Sequence, residues 1–144
     1  MEDLDRLAVA RLRQHAQRYT TNRRQLVQLL ATADAPLTIP EILEQRPGLA
    51  QSSVYRNLVM LEQSGLVQRV VTNDEWARFE LAEDLTEHHH HLICSSCGIV
   101  RDFTVPARVE RSVASAFDKI AEQTGFTLQR HRLDLVGVCP SCAA

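Results

Sequence analysis

Four cysteines stand as two tight pairs, Cys94-Ser-Ser-Cys97 and Cys139-Pro-Ser-Cys142, with 41 residues between them. Two intervening residues let both sulfurs of a pair reach one ion across a turn. Two such pairs complete a tetrahedral thiolate site for Zn²⁺. Gly98 after the first pair and Pro140 within the second suit tight turns whose backbone amides point at the sulfurs. A structural zinc held by Cys94, Cys97, Cys139 and Cys142 is the expectation. A disulfide framework is unlike a cytosolic chain, whose thiols are kept reduced. A thiol redox centre needs one pair and a thioredoxin-like βαβ setting, which the sequence lacks.

His88, His89, His90 and His91 are four of the six histidines, and they lead through Leu92-Ile93 into Cys94. Extended structure is the best reading through Ile99, Val100 and Phe103. Side chains on a strand alternate, so His88 and His90 share one face and His89 and His91 the other. Each pair could anchor a separate metal site, and imidazole suits Zn, Fe, Ni and Cu. A solvated His-rich turn is the bland alternative. An affinity tag would stand at a terminus.

The elements that must position these groups can be sought by pattern. Residues 106–124 read as a helix, with an apolar stripe of Val109, Val113, Ala116, Phe117 and Ile120 and with Pro106 in its first turn. Glu110 lies beside that stripe. Residues 126–138 alternate as a strand that delivers His131 and ends at the second cysteine pair. His88, His90, Glu110 and His131 could therefore meet.

The N-terminal half carries a different pattern. Residues 4–18 have helical spacing, Thr20-Thr21-Asn22 is a polar break with N-cap candidates, and residues 23–33 form a second helix ended by Pro36. Thr38 caps a helix to Gln45, and Pro47-Gly48 turns the chain. Gln51-Ser52-Ser53 caps a helix over 53–64, which Gly65 ends. Residues 66–71 and 76–81 are strands joined by a turn at 72–75. Helix, turn, helix and hairpin is the winged-helix order. The second helix of such a pair enters the major groove by its N-terminal residues, here Ser52, Ser53, Tyr55, Arg56 and Asn57. Arg can read guanine edges, and Tyr can pack on a thymine methyl while bonding to phosphate.

Charge divides along the same line. Residues 1–72 hold nine Arg and seven acids, net +2, whereas residues 73–144 are net −4. Six Arg, including Arg18, Arg23 and Arg24, lie between Arg6 and Ala33 with no acid among them. A local basic arm on an acidic protein fits one DNA-facing surface. At 144 residues with 44% hydrophobic and 24% charged residues, the chain has the profile of a globular protein. No apolar run reaches the ~18–20 residues of a membrane span. Met1-Glu2-Asp3 lacks a signal peptide's apolar core, so the expected compartment is the cytoplasm.

Together these motifs resemble the ferric uptake regulator (Fur) superfamily of metal-dependent repressors. The carriers are Ser53-Val54-Tyr55-Arg56-Asn57-Leu58, Arg78-Phe79-Glu80-Leu81, the block from His88 to Gly98, Glu110, the segment around His131, and Cys139-Pro-Ser-Cys142. The resemblance covers nearly the whole chain. It implies an α+β protein with a winged-helix DNA-binding domain over residues 1–82, a hinge near 82–87, and a small α/β dimerisation domain over 88–144. It assigns the four cysteines to structural zinc and Glu80, His89 and His91 to an inter-domain sensory site. His88, His90, Glu110 and His131 match a second regulatory site.

The chain also departs from the family. Many iron-type members place a histidine before the third helix of the DNA-binding domain, where this chain reads Asp34-Ala35-Pro36-Leu37-Thr38. Zinc-type members often have an Asp where Gln68 stands and a Cys on the returning hairpin. Many iron-type members read His-His-Asp-His where this chain has four His. The expectation is a homodimeric repressor that binds a palindromic operator when a divalent ion, Zn²⁺ or Fe²⁺ with Mn²⁺ as a further candidate, fills the sensory site. A peroxide-sensing member of the same family is the alternative, since bound iron can drive oxidation of its histidine ligands. A zinc-stabilised interaction module without DNA binding is a second. A zinc hydrolase is disfavoured because no substrate pocket, H-E-x-x-H or H-x-E…P-C-x-x-C pattern is present. Neither a membrane nor a small organic substrate is expected as a partner.

Overall fold

The computed structural model describes residues 1–72 and 74–144. Helix α1 runs Glu2–Gln14, α2 Thr21–Thr32, strand β1 Leu37–Thr38, α3 Ile39–Gln45 and α4 Gln51–Gln63. Strands β2 (Val67–Val70) and β3 (Arg78–Leu81) follow. The first sheet has the order β1-β3-β2, and both pairings are antiparallel. The alternation and capping signals explain most of this. Thr20 Oγ1 accepts from Arg23 N, and Thr38 Oγ1 accepts from Glu41 N, both at 3.3 Å. Leu12, Leu26, Val27, Ile42, Val54, Leu58, Leu61, Leu66, Phe79 and Leu81 are buried together and hold the helices against the hairpin.

Several boundaries differ from the sequence reading. The first helix stops at Gln14 rather than residue 18, because Ala16 turns to φ +55°. The fourth begins two residues early, at Gln51. Ala50 is its N-cap and no side chain caps it, so Ser52 and Ser53 lie inside the helix. The returning strand starts at Arg78, not Trp76. Asp74 Oδ1 accepts from the Trp76 amide at 3.2 Å and keeps that stretch in a turn. The expected turn at 72–75 includes Asn73, which lies outside the described residues.

A 3₁₀ turn, Glu83–Leu85, stands where the hinge is expected. It is pinned rather than loose. Arg11 donates to the Gly65 carbonyl at 2.6 Å and forms an ion pair with Asp84, joining α1, the end of α4 and the turn.

The second sheet comprises β4 (His90–Cys94), β5 (Val100–Phe103) and β6 (Asp134–Gly137), in the order β5-β4-β6. β4 is central, antiparallel to β5 and parallel to β6. Helix α5 (Ala107–Thr124) has Pro106 as its N-cap, one position before the expected first turn, and ends on Gly125 in the left-handed region. Only Asp134–Gly137 of the strand expected over 126–138 joins the ladder, and a short helix α6, Pro140–Ala143, carries the last cysteine. The loop between β2 and β3 reaches the turn after the first cysteine pair. Gly98 has φ +77°, and a Cβ there would collide with the Asp74 carboxylate, so only glycine serves.

Helix α5 has no buried residue although its stripe is apolar, and all of β6 is exposed. Ile120, Phe126, Leu135 and Val136 are each more than half exposed. Large apolar side chains left exposed on an otherwise well-packed chain mark surface that something covers. Among the described residues no helix is long and apolar enough to cross a membrane.

Candidate metal centres and nucleic-acid face

The cysteine pairs converge as their spacing requires. The four sulfurs lie within 4.8 Å of one another. The Cys97 and Cys139 amides both donate to Cys94 Sγ, at 3.5 and 3.3 Å. Those two backbone hydrogen bonds, led by Cys97, pull the Cys94 thiol down to about 6, so the thiolate that a metal needs is already favoured.

The histidine run splits between two clusters, as strand alternation demands. His88 and His90 meet Glu110 of α5 and His131, with the ligand atoms of all four within 4.8 Å. His88 Nε2 lies 3.2 Å from His131 Nε2 and 3.4 Å from Glu110 Oε2, and His90 Nε2 contacts Glu110 Oε1. His88 Nδ1 is 2.6 Å from Glu83 Oε1, which turns Nε2 toward the cluster. Burial pushes the Glu110 carboxyl up, but the hydrogen bond from His90 and the neighbouring histidines leave it below its ordinary value.

His89 and His91 point the other way, onto Glu80 of β3. Both Nε2 atoms lie 3.1 Å from Glu80 Oε2. A fourth group joins them that residue spacing alone does not reveal. Asp102 pairs with His91 across the β4–β5 ladder, and its Oδ1 lies 3.5 Å from His91 Nε2 and 3.9 Å from His89 Nε2. That oxygen is buried and has no hydrogen-bond partner among the described residues. An orphaned buried carboxylate oxygen facing two imidazoles and a second carboxylate fits a cation. The hairpin register was the only sequence signal that could have found it. His89 Nδ1 donates to the Glu87 carbonyl at 2.9 Å, which leaves Nε2 for the centre.

In the metal-free chain the cluster is balanced by protons. Burial pushes Glu80 up, yet hydrogen bonds from His91, Gln68 and His89 bring it below its ordinary value. Burial pushes Asp102 up, and that effect prevails. His89 is pushed down by burial but raised overall by the Glu87 carbonyl, Glu80 and Asp102. A histidine with a raised folded value stabilises the chain below its unfolded value, near 6.5, and that stability is lost as pH rises through the folded value. A metal must displace the same proton. As pH rises above about 6.5, the metal-free protein is expected to lose thermal stability while affinity for a divalent ion rises. Thermal unfolding with and without Mn²⁺ checks both slopes, and parallel slopes would refute the proton competition.

On α4, Tyr55 and Arg56 are exposed and share one side with Ser52. Asn57 Oδ1 accepts from Arg23 Nε at 2.9 Å, and Asn57 Nδ2 donates to Ser53 Oγ at 3.3 Å. Arg23 Nη1 also donates to the Arg18 carbonyl at 2.7 Å. Arg23, Ser53 and Asn57 thus join α2 to α4, whereas the Arg18 and Arg24 side chains remain exposed beside the start of α2.

Comparison with known proteins decides the lineage. The profile of the ferric uptake regulator family matches residues 14–136. The chain belongs to the ferric uptake regulator family. It is 32% identical over 140 residues to the peroxide operon regulator of Bacillus subtilis, covering 94% of this chain and 91% of that protein. It is 29% identical to the peroxide-responsive repressor PerR of Staphylococcus aureus, covering 94% of this chain and 88% of the relative. The fold matches the ferric uptake regulator of Helicobacter pylori with a TM-score of 0.76 at 24% identity, over 99% of this chain and 93% of that one. The α+β architecture and family expected from the motifs are therefore correct. The chain is a metal-dependent transcription regulator of that family, not an enzyme.

Proposed function

We propose that this chain is a repressor whose affinity for DNA is set by a divalent ion held by Glu80, His89, His91 and Asp102. One observation carries the reading. Glu80 stands on β3, the last strand of the first sheet, while the other three stand on or beside the central hairpin of the second. An ion there ties the hairpin behind α4 to the C-terminal sheet and selects one arrangement of the DNA-reading helix. The domains divide at residues 82–87, with the zinc on the four cysteines holding the second domain together.

Two imidazole nitrogens and two carboxylate oxygens, without a thiolate, favour Fe²⁺ or Mn²⁺, with Zn²⁺ as the competitor. The exposed apolar face of α5 and β6 supports a homodimer, which in turn prefers a palindromic operator with half-sites about one helical turn apart. Arg56→Ala is expected to cost about 1–3 kcal/mol of operator affinity and to relax sequence preference, measured against non-specific duplex at fixed salt. Full retained preference would overturn the recognition role of α4.

The names of the two curated relatives favour a second reading, a peroxide sensor. A cavity of about 50 Å³ beside His89, His91 and Glu80 has room for a molecule the size of water or peroxide. Metal-resolved DNA binding tests the main reading. Protein stripped to its cysteine-bound zinc is titrated with Fe²⁺ anaerobically, Mn²⁺ or Zn²⁺, and operator affinity is followed. Activation by Fe²⁺ or Mn²⁺ supports it, and activation by trace Zn²⁺ alone overturns the metal assignment. Loss of binding on adding hydrogen peroxide to the Fe²⁺ form, with an oxygen atom gained by His89 or His91, selects the peroxide sensor.

A further inference from the structure

Gln68 occupies β2 directly opposite Glu80 of β3. Its Nε2 donates to Glu80 Oε1 at 2.7 Å, while the other carboxylate oxygen, Oε2, faces His89 and His91. The orientation of the amide is fixed by its neighbours. Arg130 Nη1 donates to Gln68 Oε1 at 3.4 Å. A guanidinium only donates and an ionised carboxylate only accepts, so a flipped amide would face like groups on both sides. Gln68 therefore turns its oxygen away from the cluster and its N–H toward Glu80.

We infer that Gln68 is a positioning residue of this centre, holding Glu80 as a one-oxygen ligand by keeping Oε1 for itself. The inference rests on the reading of Glu80, His89, His91 and Asp102 as the regulatory metal site. A carboxylate at position 68 would itself supply a ligand oxygen. The amide supplies none, and instead limits how many oxygens the ion receives. Arg130, the neighbour of His131, adds to that pose by its own hydrogen bond to the amide oxygen.

The test uses full-length protein with zinc retained on the cysteines and His131→Ala to disable the second cluster. Co²⁺ is titrated against a competing chelator, and its visible absorption is recorded. Gln68→Met is expected to weaken Co²⁺ binding roughly 10–100-fold, the range found when partners of ligands are removed. It is also expected to lower the absorption intensity, because Glu80 can then close with both oxygens and raise the coordination number. Arg130→Met, at an exposed position, frees the amide to turn and is expected to shift both readouts the same way by a smaller factor. It keeps the test open should Gln68→Met fold poorly. Unchanged affinity and spectrum in either folded variant would overturn the positioning role alone. If the Gln68 parent binds no Co²⁺ that Glu80→Ala removes, the metal-site reading falls and the inference with it.

Discussion

Cys97→Ser is expected to unfold the C-terminal half of this protein rather than merely weaken a metal site. Structural Zn²⁺ in small thiolate sites contributes about 10–16 kcal/mol of apparent binding energy, more than the total stability of most domains. Little else can hold the second sheet. Its strands have four or five residues, no residue of α5 is fully buried, and β6 is exposed along its whole length. The cysteines join the end of β4 to the end of β6, the two parallel strands whose connection runs through α5. The variant should therefore lose the far-UV signal of that half, lose the dimer proposed for it, and expose residues 88–144 to protease. The first sheet and its helices, with their own core, should remain protected. Sedimentation and limited proteolysis check this. A Cys97→Ser protein with the parent's sedimentation and protease resistance would overturn the structural role of the zinc.

How much of this was legible in the sequence depends on whether the signal was local. Cys-x₂-Cys spacing fixes two sulfurs per turn, and alternation on a strand separates His88 and His90 from His89 and His91. Both readings survive because they need no knowledge of distant pairing. Glu110 was reachable from the helix stripe, whereas His131 reaches the cluster from the coil ahead of β6 and not from the strand expected to deliver it. Asp102 was not, because its place depends on the register of β4 against β5, where a slip of one residue would send it to the opposite face. The orientation of Gln68 was equally hidden, since it depends on Arg130, 62 positions away. The helix over 53–64 was misplaced at its start for a related reason. Ser52 and Ser53 are good caps by type, but the buried positions Val54, Leu58 and Leu61 draw the helix back to Gln51. The strand expected over 126–138 shrank to Asp134–Gly137 because β4 offers only that stretch a partner. Alternation without a neighbouring strand does not make a ladder.

Replacing His89 and His91 together by alanine is expected to abolish the response to metal while leaving a folded, zinc-containing protein. The two imidazoles are half of the four groups that face one another at the junction of the two sheets, and Glu80 and Asp102 alone would leave two carboxylates opposed. Without the ion, the arrangement at that junction rests on lesser contacts such as the pinned turn at Asp84, the seat of Asp74 on Gly98, and the Arg130–Gln68 and His88–Glu83 pairs. Coupling between a metal site and a distant binding surface is worth about 1–3 kcal/mol, so adding Fe²⁺ or Mn²⁺ to the parent should tighten operator binding roughly 5–150-fold. The double variant should bind the operator with the weak affinity of the stripped parent, whatever ion is added. The cysteine zinc should be unchanged, because those ligands lie at the far end of β4. A double variant that still tightened on metal addition would move the sensing role to His88, His90, Glu110 and His131. The reciprocal variant, His88→Ala with His131→Ala, separates the two clusters. If the centre on Glu80 governs DNA affinity, that second variant keeps most of its response, since His88 and His131 belong to the separate cluster with His90 and Glu110.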